Sequence, residues 1–198
     1  AGDRDGAIAD FTQAIGIQPS FPMAWNNRAN LRAAAGDAPG ALSDITEALR
    51  LKPGDGDSLA NRGLIRDRIG DYPAALADFD AAIQADPRNP RHRYNRSLTR
   101  ARIGDAAGAR ADCDEAIRID PRYPSAWRQR AVLRETDRDF EGAVGDLQTV
   151  VRLTPARADA WRALGHLHER RNAPHEAVEA LTEALRLAPG DVEAWTCR

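Results

Sequence analysis

The stretch "PMAWNNRANLRAAAGDAPGALSDITEALRLKPGD", Pro22 to Asp55, decides the fold. Its first half ends at Gly36, a residue that enters positive φ without a Cβ penalty. Asp37 follows and suits the N-cap of a second helix. Pro39 falls in that helix's first turn, where a missing N–H leaves no bond unmade. The second half carries apolar residues at i, i+4, i+7 and i+8 (Ala41, Ile45, Ala48, Leu49) and is stopped by Pro53. The stretch therefore reads as two helices joined by a tight turn.

The pattern returns along the chain. Prolines stand at Pro19, Pro53, Pro87, Pro121, Pro155 and Pro189, each 34 residues after the last. Alanines keep step at Ala7, Ala41, Ala75, Ala109, Ala143 and Ala177, and again at Ala14, Ala48, Ala82, Ala116 and Ala184, with Val150 interrupting. Such small residues let paired helices approach closely. The glycine column, Gly2, Gly36, Gly70 and Gly104, gives way to Arg138 and Asn172. Aspartates follow it at Asp3, Asp37, Asp71, Asp105 and Asp139, and an aromatic column runs Trp25, Leu59, Arg93, Trp127, Trp161 and Trp195.

This period and its Trp…Gly…Ala…Pro order resemble the tetratricopeptide repeat family. The resemblance covers residues 1–198 as a single array. It implies an all-α fold: an α-solenoid, a right-handed superhelix of antiparallel helix pairs whose first helices line a concave groove. The register gives full repeats at 22–55, 56–89, 90–123, 124–157 and 158–191. Residues 1–21 read as the second helix of a partial repeat, and 192–198 as the start of a truncated one. A solenoid needs polar caps, so the expectation is a fragment of a longer protein, with self-association through the open ends. The altered residues Arg138 and Val150 predict an irregular turn or a shifted helix in 124–157.

The 198 residues carry a net charge of −2, which argues against a whole-domain binder of nucleic acid. Lys52 is the only lysine, an arginine bias of the kind a GC-rich bacterial genome produces. The run "RNPRHRYNRSLTRAR", Arg88 to Arg102, holds six arginines and no acid. Arg88 falls in a loop, and three of the others belong to columns found elsewhere. Arg96 continues Arg28, Arg62 and Arg130; Arg100 continues Arg32, Arg66 and Arg134. An acid column shadows both: Asp44, Asp78, Asp112 and Asp146. Leu164 and Ala180 lose arginine and aspartate together, which predicts that the two form one buried interaction, since a lone buried guanidinium is costly. Arg93 stands in the tryptophan column, where its aliphatic stem replaces part of the ring contact. Arg91 and Arg102 remain for a groove.

The resemblance also places candidate binding residues. Asn27, Asn61 and Asn95, with Gln129 after them, form an amide ladder similar to that of O-linked N-acetylglucosamine transferase solenoids. Amides donate and accept, so the ladder suits the backbone of an extended peptide. Asn30, Asn61 and Arg91 match part of the carboxylate clamp of chaperone-binding members, whereas Asn26 and Asn95 stand where cations are expected. Arg91, Tyr94, Arg102 and Arg128 together imply a preference for acidic or carboxylate-ended segments. The function so implied is a protein-interaction scaffold. The alternative is a substrate-recruiting or regulatory arm of a larger enzyme.

No catalytic constellation is visible, and no cofactor or metal is expected. Cys113 falls in the apolar column of Ile45, Phe79 and Leu147, and reads as a buried, inert thiol. His166 and His168 are two apart on a helix and so face different ways. No apolar run approaches a membrane span. A cytoplasmic location and no membrane partner are the corresponding expectations.

Overall fold

The structure, a computed structural model, describes residues 3–196. Gly2 and Cys197 lie outside the described residues. The described residues form twelve helices: α1 (Arg4–Ile17), α2 (Pro22–Ala34), α3 (Ala38–Leu51), α4 (Gly56–Arg68), α5 (Tyr72–Ala85), α6 (Pro90–Arg102), α7 (Ala106–Ile119), α8 (Pro124–Thr136), α9 (Phe140–Leu153), α10 (Ala158–Arg170), α11 (Pro174–Leu187) and α12 (Val192–Thr196). They fall into two compact units, Ala1–Gly104 and Asp105–Arg198. The architecture is all-α, a solenoid of helical hairpins, as the repeat register predicts.

Side chains fix the direction of each hairpin. In the first unit Arg28 reaches Asp44 and Arg32 reaches the carbonyl of Gly40, so α2 and α3 run antiparallel. In the second unit Arg130 reaches Asp146 and Arg134 the carbonyl of Gly142, fixing α8 and α9 the same way. The alanine columns sit at the closest approach: Ala41, Ala48, Ala75, Ala82, Ala109, Ala116 and Ala143 are all fully buried. Cys113 is fully buried among them, as its column predicts.

The turns follow the sequence closely. Asp3, Asp37, Asp105 and Asp139 each accept a hydrogen bond from the glycine N–H three residues on, at 2.8–2.9 Å. Where Ala74 replaces that glycine, the bond from its N–H to Asp71 lengthens to 3.3 Å. A Cβ at Gly40 would stand 2.1 Å from the Asp37 carboxylate, so cap and glycine are one device. The last hairpin drops both at once. Ala173 caps nothing, and Glu176 occupies the glycine position.

Each tryptophan of the aromatic column donates its indole N–H to a proline carbonyl six residues earlier. The pairs are Trp25 to Pro19, Trp127 to Pro121, Trp161 to Pro155 and Trp195 to Pro189, at 2.8–3.0 Å. Arg93 replaces more than ring contact: its guanidinium donates to the Pro87 carbonyl at 2.6 Å.

The irregular turn expected at Arg138 is not found. Arg138 adopts φ 63° and Asn172 φ 60°, in the left-handed region that Gly36, Gly70 and Gly104 occupy at 83–89°. The turn bonds are the same: Asp139 N–H to the Arg134 carbonyl at 2.8 Å matches Asp37 to Arg32 at 2.9 Å. Hydrogen bonding and packing on both sides impose the conformation, and arginine adopts it at a conformational cost. Val150 is accommodated too, 4% exposed within the core around Val144, Leu147 and Leu164. Arg138→Gly is therefore expected to stabilise the second unit by about 1 kcal/mol, a rise that urea denaturation would measure.

The Arg–Asp pairs are the main polar element of the interior. Arg28–Asp44 and Arg130–Asp146 each close at 2.7 Å and Arg62–Asp78 at 2.6 Å. Arg32, Arg66 and Arg134 add a second cation to the same carboxylates at 2.9, 2.7 and 3.0 Å. The first arginine also reaches back to the preceding hairpin: Arg28 to Thr12, Arg96 to Asp80, Arg130 to Asp114. Arg28 and Arg130 thus each tie two successive second helices together. The bond to Asp146 holds the Arg130 guanidinium above its ordinary pKa, with burial opposing and Asp114 adding to the rise.

Candidate peptide-binding face

In the first unit the first helices α2, α4 and α6 touch in series, so their outward side chains make one face. Ties one residue longer than the repeat cross it. Asn61 donates its amide to Asn26 at 2.9 Å, and Ser58 leans on the same oxygen at 3.4 Å. Asp67, 7% exposed, accepts from Thr99 at 2.8 Å and pairs with Arg102. The second unit repeats the scheme with Glu135 and Arg170.

The expected residues are distributed unevenly. Asn27 is half-buried, and Asn30 and Arg91 are exposed. Asn61 is half-buried with its amide committed to Asn26. Asn95 is only 5% exposed, and its Nδ2 lacks a hydrogen-bond partner. Tyr94 is half-buried beside it in sequence. Arg102 and, in the second unit, Arg128 hold intramolecular acids, the latter Asp159 at 2.9 Å. Partial burial disfavours the Asp159 carboxylate, but bonds from Arg157 and Arg128 outweigh it and hold its pKa below the ordinary value. Arg91 makes no ion pair among the described residues, so it is the cation of this set most available to a ligand. Next to it, His92 is 1% exposed, and burial drives its pKa below the ordinary value, which keeps it neutral at pH 7.

Two depressions lie on these faces. One of about 370 Å³ in the first unit is lined by Phe21, Met23, Asn26 and Asn27 at the start of α2, by Asp57 and Ser58 of α4, and by Lys52 and Asp55. Met23 is 57% exposed and Phe21 38%. The other, about 190 Å³, sits between α8 and α10 beside Arg128, Val132 and Leu167. The apolar lining residues are not among those the sequence singles out. The signal was present, because Met23 shares the column of Arg91, and Val132 that of Asn30.

Among the described residues no group of three or more His, Cys, Asp or Glu is arranged to hold a metal ion. No helix among them is long and apolar enough to cross a membrane.

A sequence model of the family described as "Tetratricopeptide repeat" matches residues 1–56, 61–124 and 128–192. No curated protein matches the chain. Among solved structures, PilW, described as a widely conserved type IV pilus biogenesis factor, is similar with TM-score 0.85 and 21% identity over 98% of this chain and 90% of its own. YrrB, described as a TPR protein with an unusual peptide-binding site, gives TM-score 0.66 and 20% identity over 94% and 96%. MamA from Desulfovibrio magneticus RS-1 gives 0.71 and 20% over 86% and 97%. At these identities the likeness is one of fold.

Proposed function

The chain belongs to the tetratricopeptide repeat family, whose members are generally non-catalytic scaffolds for protein–protein interaction, and we propose that this one takes an extended protein segment along the first-helix face of its first unit. The observation that carries this reading is the depression beside Asn27. There the exposed apolar side chains of Phe21 and Met23 share one depression with the amides of Asn26 and Asn27 and, from the next first helix, the Ser58 hydroxyl, with Lys52, Asp55 and Asp57 completing the lining. An extended segment offers the same two chemistries, a side chain for the apolar residues and a backbone for the amides. The unpartnered Nδ2 of Asn95 and the exposed guanidinium of Arg91 lie further along, on α6. Arg91 gives that end a preference for an acidic side chain or a free carboxylate. YrrB, described as having a peptide-binding site, supports the same class of ligand.

Peptides selected from a random library against the chain test this. Asn27→Ala with Asn61→Ala is expected to weaken selected binders about tenfold, the loss of one or two net hydrogen bonds. Arg91→Ala should reduce only those with acidic or carboxylate ends. Unchanged affinity in the folded double variant would remove the amides from the site. A library yielding no binder to this face would remove the groove reading altogether.

A further inference from the structure

The opposite side of the second unit carries a larger cleft, about 800 Å³, between the second helices α9 and α11. Its position relative to the repeat explains why it exists. In the preceding hairpin Arg130 bridges Asp146 on its own second helix and Asp114 on the one before. The positions 34 residues on are Leu164, Ala180 and Gln148, and all three line the cleft. The cleft is thus the seat of a guanidinium that this hairpin has lost.

What surrounds the seat is still suited to that group. Arg28 lies 5.0 Å from the centroid of the Trp25 ring, and Arg130 4.7 Å from that of Trp127. Trp161 keeps the column and lines the cleft, and among the described residues no guanidinium lies over it. His168 replaces the second arginine. It is 5% exposed and lines the cleft, and its Nδ1 has no hydrogen-bond partner. Acids have meanwhile appeared at positions that are small in every other hairpin. Glu179 follows Ala9, Ser43, Ala77, Ala111 and Gly145; Glu176 follows Gly6, Gly40, Ala74, Gly108 and Gly142. With Glu141 and Glu183 they set four carboxylates around the cleft against one guanidinium, that of Arg171. Arg171 is taken by Glu141 at 2.7 Å and Glu176 at 3.4 Å, while Glu179 enters no ion pair among the described residues.

We propose that this cleft is a receptor for an arginine side chain of a partner protein. The guanidinium enters where Arg130 stands in the hairpin before, lies over Trp161 and pairs with Glu179, while its aliphatic stem packs on Leu164 and Ala180. A planar guanidinium fits better than an ammonium, because it stacks on the indole and presents a fork of donors to carboxylate and amide together. This site is separate from the first-helix face, and either can fail without the other.

The test is a titration of the 198-residue chain with the capped peptide Gly-Arg-Gly, followed by the NMR signals of the Trp161 indole and the His168 ring. Parallel titrations use lysine or citrulline in place of arginine. The arginine peptide is expected to shift both signals saturably, lysine more weakly and citrulline not at all. Glu179→Ala, which restores the small residue of its column, should weaken the response about tenfold, as loss of a charge-assisted pair does. Leu164→Arg with Ala180→Asp rebuilds the bridge of the preceding hairpin and should abolish the response by filling the seat. No saturable shift with the arginine peptide would overturn the proposal. So would an equal shift with citrulline, or a response that survives Glu179→Ala unchanged or survives in the refilled variant.

Discussion

Asp44→Ala is expected to destabilise the first unit by about 3–5 kcal/mol, because it strands two cations at once. Asp44 is 1% exposed and accepts from Arg28 through Nε at 2.8 Å and Nη2 at 2.7 Å, and from Arg32 at 2.9 Å. Arg28 itself is 7% exposed, and without Asp44 it keeps Thr12 at 3.0 Å and the Trp25 ring, neither of which carries charge. The cost belongs to the uncompensated guanidinium rather than to the pair as such, since replacing a whole buried ion group by apolar residues is often neutral. The chain performs that replacement itself at Leu164, His168 and Ala180. The triple variant Arg28→Leu, Arg32→His, Asp44→Ala should therefore recover most of what Asp44→Ala loses. Repeat proteins lose stability locally, so hydrogen exchange of the α2 and α3 amides is the suitable measurement. A loss below about 1 kcal/mol for Asp44→Ala, under the range for a stranded buried charge, would show that water reaches Arg28 and replaces the carboxylate.

The repeat makes this interaction legible in the sequence itself. A column holds its residue type when the same local geometry recurs, so the pairs, the aspartate caps and the proline stops could all be read as periodicities. The ties across the first-helix face could not. Asn26–Asn61, Asp67–Arg102 and Glu135–Arg170 join residues 35 apart, the first an amide pair and the other two acid–arginine pairs. The acid–arginine tie recurs only at every second repeat and the amide tie is seen once among the described residues, so no period of 34 announces them, and only stacked helices bring them together. For that reason Arg102 and Arg128 read as cations open to a ligand, whereas the structure gives them Asp67 and Asp159. The turn at Arg138 departs from the sequence expectation for a related reason. Sequence shows the glycine missing, but the turn bonds that hold arginine at positive φ are a property of the packed hairpin. The cleft at Leu164 lay between these cases. The joint loss of Arg and Asp was visible, and the volume it leaves was not.

Packing between the paired helices gives a second large effect. Gly63 faces Phe79, which is fully buried, and a Cβ at Gly63 would stand 2.8 Å from the ring. The ring cannot retreat inside a close-packed core, so Gly63→Ala is expected to cost about 1–3 kcal/mol by overpacking. The gain in helix propensity of alanine over glycine, about 1 kcal/mol, offsets part of this and sets the lower bound. Two other hairpins show how the contact is eased, whereas the last keeps it tight, with Gly165 against Leu181. The corresponding residues are Ala29 with Ile45 and Ala131 with Leu147, a small side chain opposite a smaller aliphatic one, and all four are buried. Phe79→Leu alone should also destabilise, by about 1–2 kcal/mol, because it leaves a void against Gly63. The two changes together rebuild the Ala131–Leu147 arrangement and should cost less than either alone. Such a strongly negative coupling is the signature of direct contact, and a double-mutant cycle on urea denaturation would measure it. Additive costs would mean that the ring has room to move and that Gly63 is not required by Phe79.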